Sequence, residues 1–575
     1  MNFIVGVSAY LLNYRILKSN FTVISCITFF ILYFSQIILS EIFLGAIGLL
    51  YLKNLFILNL SVLAVILMLS KNRISTHSFS AIGRKLIEAL KNKSLLLPVS
   101  VILGFGLVKV FINLANPPFG WDDLNYHFTF PVEWIKHADL ENPITVFDEP
   151  GPSYYPINGS LFFLWLMFPL KNVFLADVGQ LPFFILGFLA VFALGRRLGL
   201  SRENSCLSAC LFTLIPNYFK QLQIAYVDVM VSALFLSSLL YLFLLDEDFS
   251  FASSLGYGLS LGLLIGTKTV ALPYSLFLIF PFVFIAYKKK AKLALVITVS
   301  VLVAATGGYS YIKNFIDTAN PLYPMKISLF GKVIFPGVMV ADTFRAHFRP
   351  EDYSLYKLLF GEGLGAQTLL FILPALFLSL PVIFLKRRRD ADFKLLYLCL
   401  LPWFVYLAFR YVIPLANTRY LYPLLGMGIV LGFYVYSALG LPRKFIRFTA
   451  IISVVASLAE LAKRAELVSA VIVSALLFIL LPVLIKYIRV RASFFGALTA
   501  VFIALFLCLS LLERYYVKHE YSGYPRMVKY SGFWPDAACA WDWLNSHTQG
   551  DNISYAGRPV PFPLYGTNFK NNVYY

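Results

Sequence analysis

Apolar residues run along this chain in long unbroken stretches, and the polar ones gather in short clusters between them. An apolar run of about 17 to 25 residues lets a helix cross a hydrocarbon core roughly 30 Å thick. Such runs fall at about 21–39, 54–70, 95–115, 179–195, 205–219, 229–245, 251–267, 270–287 and 293–312. Six more follow at about 368–385, 394–412, 420–440, 446–460, 467–485 and 493–511. The pattern predicts an all-α polytopic membrane protein with about fifteen transmembrane helices. Two further apolar stretches, around 40–53 and 159–170, read as partly immersed helices outside the membrane. The first twenty residues read as an interfacial helix. They lack the basic start and small-residue cleavage site of a signal peptide.

Composition supports the class. The 575 residues are 59% hydrophobic and 13% charged, with mean hydropathy +0.76, whereas soluble chains are about half apolar. The net charge of +19 is unevenly spread. With the N-terminus in the cytoplasm, the inside segments hold 26 of the 48 Lys and Arg residues but only seven of the 29 Asp and Glu. KNRISTHSFSAIGRKLIEALKNK (71–93), GRRLGLSR (195–202), YKKKAK (287–292) and KRRRDADFK (386–394) lie among them. This obeys the positive-inside rule, and the reverse orientation breaks it. The expectation is a multi-pass protein of a plasma (inner) membrane with an extracytoplasmic C-terminus. The basic pI near 9.4 then reports topology and lipid headgroups rather than nucleic acid. Five of six cysteines sit in apolar runs and only Cys539 in a polar region, so no disulfide framework is expected.

The layout divides the chain into four parts. Residues 1–94 hold the interfacial helix, two spans and a basic cytoplasmic loop. A membrane core, 95–440, carries the external loops 116–178 and 313–367, and 441–511 adds further spans. Residues 512–575 read as a small α/β extracytoplasmic segment. In it WDWLNSHTQGDNISYAG suggests helix, turn and strand, and the closing NNVYY is β-prone with little room for a partner.

Several ionisable residues fall at one predicted depth, the outer ends of the spans. Asp122, Asp123 and His127 belong to GWDDLNYH (120–127), just after the third span. Asp228 opens a span in QIAYVDVM, Lys268 lies in IGTKTVALP between two closely spaced spans, and Arg410 and Arg419 bracket a turn in FRYVIPLANTRYLYP. Taken singly, each has a plain structural reading. The aspartates cap the next helix, and the cations snorkel to the headgroups. Taken together, these groups at one level describe a cavity with carboxylates on one wall and cations on another. Intramembrane ionisable residues are costly unless paired or functional. Carboxylates can deprotonate a hydroxyl or hold a divalent cation, and Lys and Arg can hold a phosphate and stabilise its charge as it leaves.

These segments resemble a family. GWDDLNYH, then FPVEWIKHADL and YYPINGSLFFLW, then AYVDVM, GTKTVALP, NPLYP and NTRYLYP are similar, in the same order, to segments of the membrane-embedded glycosyltransferases of the GT-C fold. That superfamily includes the protein O-mannosyltransferases and the lipid A aminoarabinose transferases. The resemblance covers roughly 95 to 430. It implies a GT-C-like core and a polyprenyl-phosphate-linked sugar as donor. Asp122 matches the first-loop aspartate that serves as base or orients the acceptor, and Asp123 stands beside it where many relatives have Glu. Asp228 matches the second acidic residue, Lys268 and Arg419 the phosphate-holding cations, with Arg410 a further candidate. His127, Tyr155, Asn158 and Asp228 are candidates for acceptor or metal contact; for His127 polar packing at the interface is an equal reading. A divalent cation (Mg or Mn) shared by Asp122 and Asp228 is one expectation, and no cofactor is the other. The two extra N-terminal spans and the long C-terminal half leave the subfamily open.

The implied activity is an inverting sugar transfer to a hydroxyl on a lipid, glycan or protein. Two rivals stand: a cell-envelope glycan polymerase or ligase, and a transporter or flippase for lipid-linked sugars. The last would place its charges near the midplane and show repeats, and neither is visible here.

Overall fold

In the computed structural model, residues 1–17, 22–70, 92–144, 151–341, 363–385, 393–413, 417–462, 468–487, 505–521, 535–556 and 560–575 are described. Among them nine helical segments are long and apolar enough to cross a membrane: Val23–Ala46, Leu52–Leu69, Lys93–Ala115, Ala176–Arg197, Asp228–Glu247, Ala271–Lys288, Thr368–Leu385, Phe393–Val412 and Thr418–Ala438. A tenth arises if Leu293–Gly307 and Tyr309–Thr318, bent by 68° from one another, count as one span.

The expected fifteen is therefore corrected for particular segments. The run at 205–219 is a 12-residue helix, Arg202–Thr213, after which Pro216 starts a new short turn, because proline has no amide to continue the old ladder. The run at 251–267 yields only the 15-residue helix Phe251–Ile265. Arg443–Leu461 and Val468–Tyr487 form helices, the first too polar at its start to qualify, with Arg443, Lys444 and Arg447 in its first two turns. Most of 493–511 lies outside the described residues. The separate helix expected at 40–53 does not form: the first span runs unbroken to Ala46 and the chain then turns through Gly48 at φ 69°. The short helix expected at 159–170 is present as Asn158–Met167.

Two helices form the centre. Of the best apolar window, 94% is buried in Asp228–Glu247 and 83% in Thr418–Ala438, so protein rather than lipid surrounds both. Their apolar residues accordingly occupy every side of the helix rather than one stripe. The N-terminal helix Val23–Ala46 joins this core: Phe34 stacks on Phe183 at 4.1 Å between centroids, and Thr28 shares a 2.8 Å hydrogen bond with Tyr241. Phe251–Ile265 packs closely on Leu293–Gly307 through glycine, since a Cβ at Gly262 would stand 2.9 Å from the Val303 backbone.

Among the described residues, strand structure is confined to two small pairs. Ile327–Leu329 and Lys332–Phe335 form an antiparallel hairpin. Asn552–Ser554 pairs in parallel with Asn572–Tyr574, so the closing NNVYY does find a partner. The intervening 17 residues suffice because two short helical turns, Phe562–Tyr565 and Thr567–Phe569, bring the chain back alongside. This C-terminal unit sits on the GWDDLNYH loop. Phe562 meets Phe128 at 5.7 Å, the Tyr565 hydroxyl donates to Glu133, and Lys136 donates to Asn572 at 2.9 Å.

Candidate functional site

Four elements bring their ends together at one level. Asp122 caps the π-helical turn Asp123–His127, and Asp228 is the first residue of its helix. Lys268 lies in the turn between Phe251–Ile265 and Ala271–Lys288, and Arg419 in the turn Thr418–Leu421. A carboxylate at a helix start meets the positive end of the helix dipole. The Asn417 side chain accepts from the Arg419 amide at 3.3 Å, and Pro423 in the following first turn favours the helical start.

The four side chains make one continuous ionic chain. Lys268 Nζ is 2.8 Å from Asp228 Oδ1. Arg419 Nε is 3.1 Å from Asp228 Oδ2, and Arg419 Nη2 is 3.1 Å from Asp122 Oδ2. The Nε contact is an attraction of charges without hydrogen-bond alignment, whereas the Nη2 contact is a hydrogen bond. The Asp228 side chain is 1% exposed and the other three 12–13%. Two cations and two carboxylates cancel, which is the condition for keeping four charges out of water. Aromatic faces complete the surroundings: the Arg419 guanidinium carbon stands 4.3 Å from the Tyr226 ring and Lys268 Nζ 5.0 Å from that of Tyr420. Burial and the nearby Arg419 charge pull the Lys268 ammonium below its ordinary value, against the pull of Asp228.

Beside this chain opens a cleft of about 330 Å³, counting its mouth, lined among others by Tyr126, His127, Tyr155, Ser160 and Lys268. Burial holds His127 well below the usual imidazole range, and Lys268 adds to the effect, so the ring is neutral. Its Nδ1 pairs with Ser160 Oγ at 3.0 Å while Nε2 has no partner.

The remaining expected residues fall elsewhere. Asp123 is fully buried with its carboxyl folded against Gly120, where a Cβ would meet Oδ2 at 2.4 Å. The amides of Ala225 and Gly120 approach it without completing hydrogen bonds, and burial pushes it up to about 8. Asn158 is buried and pins neighbouring helices. Its amide donates to the carbonyls of Thr306 (2.7 Å) and Leu263 (3.4 Å), and its backbone N–H to that of Gly266. Arg410 lies on the π-helical turn Ala408–Val412 and takes no part in the ion pairs of Arg419 and Lys268. A divalent cation between Asp122 and Asp228 does not fit the donors present. The Arg419 guanidinium already lies within 3.1 Å of both carboxylates, and among the described residues no three of His, Cys, Asp and Glu converge. Sequence reasoning missed Ser160 and the two rings that cover the cations, although Tyr226 and Tyr420 stand beside the charges in AYVDVM and NTRYLYP.

Fold and site together define a helical membrane protein with a buried ionic chain at one end of its two central helices. The chain is similar to solved structures of ArnT from Cupriavidus metallidurans. The match to the form bound to undecaprenyl phosphate has TM-score 0.47 and 14% identity, and that to the apo form 0.45 and 14%, each covering 82% of this chain and 84% of that one. It is also similar to the Archaeoglobus fulgidus oligosaccharyltransferase in complex with Zn and sulfate, with TM-score 0.35 and 15% identity over 65% of this chain and 53% of that one. No family model and no curated protein matches the sequence.

Proposed function

We propose that this protein is a membrane glycosyltransferase of the GT-C type that moves a sugar from a polyprenyl-phosphate carrier to a hydroxyl acceptor on the extracytoplasmic face. The observation that carries the reading is the ionic chain Asp122–Arg419–Asp228–Lys268, whose Lys268 end lines an aromatic cleft. In the resting protein Lys268 and Arg419 are held in place by carboxylates. An incoming phosphodiester exchanges with those carboxylates, taking donors from both cations. The exchange releases Asp122, whose side chain is more exposed than that of Asp228.

Asp122 then accepts the proton of the acceptor hydroxyl as its oxygen attacks the anomeric carbon. The bond from that carbon to the phosphate oxygen breaks, and polyprenyl phosphate leaves with the electron pair, its added charge met by Lys268 and Arg419. A single displacement inverts the anomeric configuration. Neutral His127, with Nε2 unpartnered in the cleft wall, accepts a hydrogen bond from a sugar or acceptor hydroxyl, and Tyr155 provides an aromatic wall. Asp228 acts as a positioning residue that spaces the two cations. The step needs no metal ion. Asn314 and Tyr323 contact Tyr154, next to the cleft-lining Tyr155, while residues 342–362 of the external loop lie outside the described residues.

Native mass spectrometry tests the donor. Wild type should retain a polyprenyl phosphate, with or without sugar, and Lys268→Ala should lose it. Retention of bulk phospholipid alone, identical in both proteins, would remove the donor site.

A further inference from the structure

The segment after Leu293–Gly307 carries an apolar surface that the other described residues do not cover. Leu293, Ile297 and Val301 point outward along that helix at steps of four, a stripe that in a membrane chain meets lipid. The chain then bends by 68° into Tyr309–Thr318. Here Ile312, Phe315 and Ile316 point outward, while Ser310 and Asn314 are buried. A helix leaving a span at that angle runs closer to the membrane plane than to its normal, which is the posture of an interfacial helix.

The hairpin Ile327–Leu329/Lys332–Phe335 follows. Its two turn residues, Phe330 and Gly331, have φ of 49° and 77°. Turns with positive φ at both positions favour Asn or Asp before Gly, and a bulky side chain there is an outlier that calls for a reason. Phe330 is 96% exposed. Leu329, Val333 and Ile334 are exposed as well, and successive strand residues Val333 and Ile334 face opposite sides. The hairpin is thus apolar on both faces and at its tip. A two-stranded hairpin is marginal in water, and this one exposes large apolar side chains on both faces and at its tip. Its base is nevertheless fixed. Buried Asn320 donates to the carbonyls of Met325 (2.9 Å) and Pro336 (2.7 Å), and Lys326 and Met339 are joined by a 2.8 Å backbone bond.

We infer that this unit is a lipid-inserting anchor. Phe330, Leu329, Val333 and Ile334 enter the adjoining leaflet together with the Ile312–Phe315–Ile316 stripe, and exposed Lys326 and Lys332 meet lipid phosphates at its rim. The anchor is tied to the cleft. Asn314 donates to the Tyr154 carbonyl at 3.0 Å and Tyr323 packs edge-on against Tyr154 at 4.6 Å, next to the cleft-lining Tyr155 and Pro156. Insertion therefore fixes the height of the cleft wall relative to the bilayer. The inference does not depend on the transfer reaction.

The test is Phe330→p-benzoylphenylalanine in the full chain, reconstituted into vesicles of phosphatidylcholine and phosphatidylglycerol, irradiated, digested and read by mass spectrometry. Ile297→p-benzoylphenylalanine serves as the lipid-facing reference. The peptide containing position 330 should gain the mass of a phospholipid with at least a third of the yield at position 297. Lipid adducts at 297 with none at 330, or adducts at 330 only to protein, would overturn the anchor.

Discussion

Asp122 and Asp123 are neighbours in sequence and opposites in environment. Asp122 is partly exposed and paired with Arg419, whereas Asp123 is sealed against Gly120 and pushed up to about 8 by burial. If Asp122 is the base, Asp122→Asn should lower transfer per folded molecule by about 10²–10⁴-fold, the usual worth of a positioned proton acceptor. Asp123 is protonated at pH 7, so Asp123→Asn replaces one neutral group by another of the same shape and should keep more than about half the activity. The two are told apart by turnover assays on purified variants. The pH dependence of stability has a definite sign. The folded value of Asp123 lies above its unfolded one, so its contribution is complete below about pH 4 and is lost as pH rises through about 8. Between pH 7 and 9 the thermal midpoint of Asp123→Asn should fall less than that of wild type, and equal falls would count against a buried neutral carboxyl. The sequence placed both aspartates at the membrane surface, but which one faces the cations depends on the approach of Gly120 and Ala225, a tertiary fact. The partners of Asn158 are hidden for the same reason: nothing local shows that Thr306, 148 positions away, takes its amide.

Apolar run length located the helices and misjudged many of their ends, because helix ends are decided by single residues. Pro216 cuts one predicted span, and a continuous helix to Ala46 absorbs part of another segment. Glycine spacing carries information that run length overlooks. Gly258, Gly262 and Gly266 recur every four residues on one face, the first two against Leu293–Gly307 and the last against Asn158, two residues before Lys268. Close helix packing through such small residues is the usual solution where lipid supplies no hydrophobic driving force. A Cβ at Gly262 would meet Thr306 Oγ1 at 2.0 Å and the Val303 backbone at 2.9 Å. Gly262→Val should therefore destabilise the protein by about 1–3 kcal/mol and lower activity by shifting the Lys268 turn. Gly106→Ala, where nothing lies within 4 Å, should be neutral. Thermal unfolding in detergent compares them, and equal midpoints would contradict the tight seam.

At the scale of the whole molecule the two ends of the central helix differ in kind. At its start Asp228 belongs to the neutral ionic chain, and at its far end Glu247 pairs with Arg197 and Lys394 from two of the basic clusters. The charge asymmetry read from sequence thus corresponds to two physical ends, with the candidate site at the end away from those clusters. The C-terminal unit lies at the site end too, which the sequence did not reveal, because Phe562 and Phe128 are more than 400 positions apart. Phe128 follows directly on the π-helical turn that Asp122 precedes, and it also packs edge-on against Phe163. Phe128 thereby links the C-terminal unit to the motif loop and to Asn158–Met167. Phe562→Ala removes a side chain that is 1% exposed, a change worth about 3–5 kcal/mol when the surroundings do not collapse. The loss should be felt locally, as easier opening of the loop rather than failure of the membrane core. Hydrogen exchange of a peptide spanning 120–137 should accelerate by about tenfold or more, with peptides from Asp228–Glu247 unchanged and transfer reduced through a less well-placed Asp122. Unchanged exchange in 120–137 would mean that the loop holds its shape without the C-terminal unit, and that the position of Asp122 is set by Arg419 and Gly120 alone.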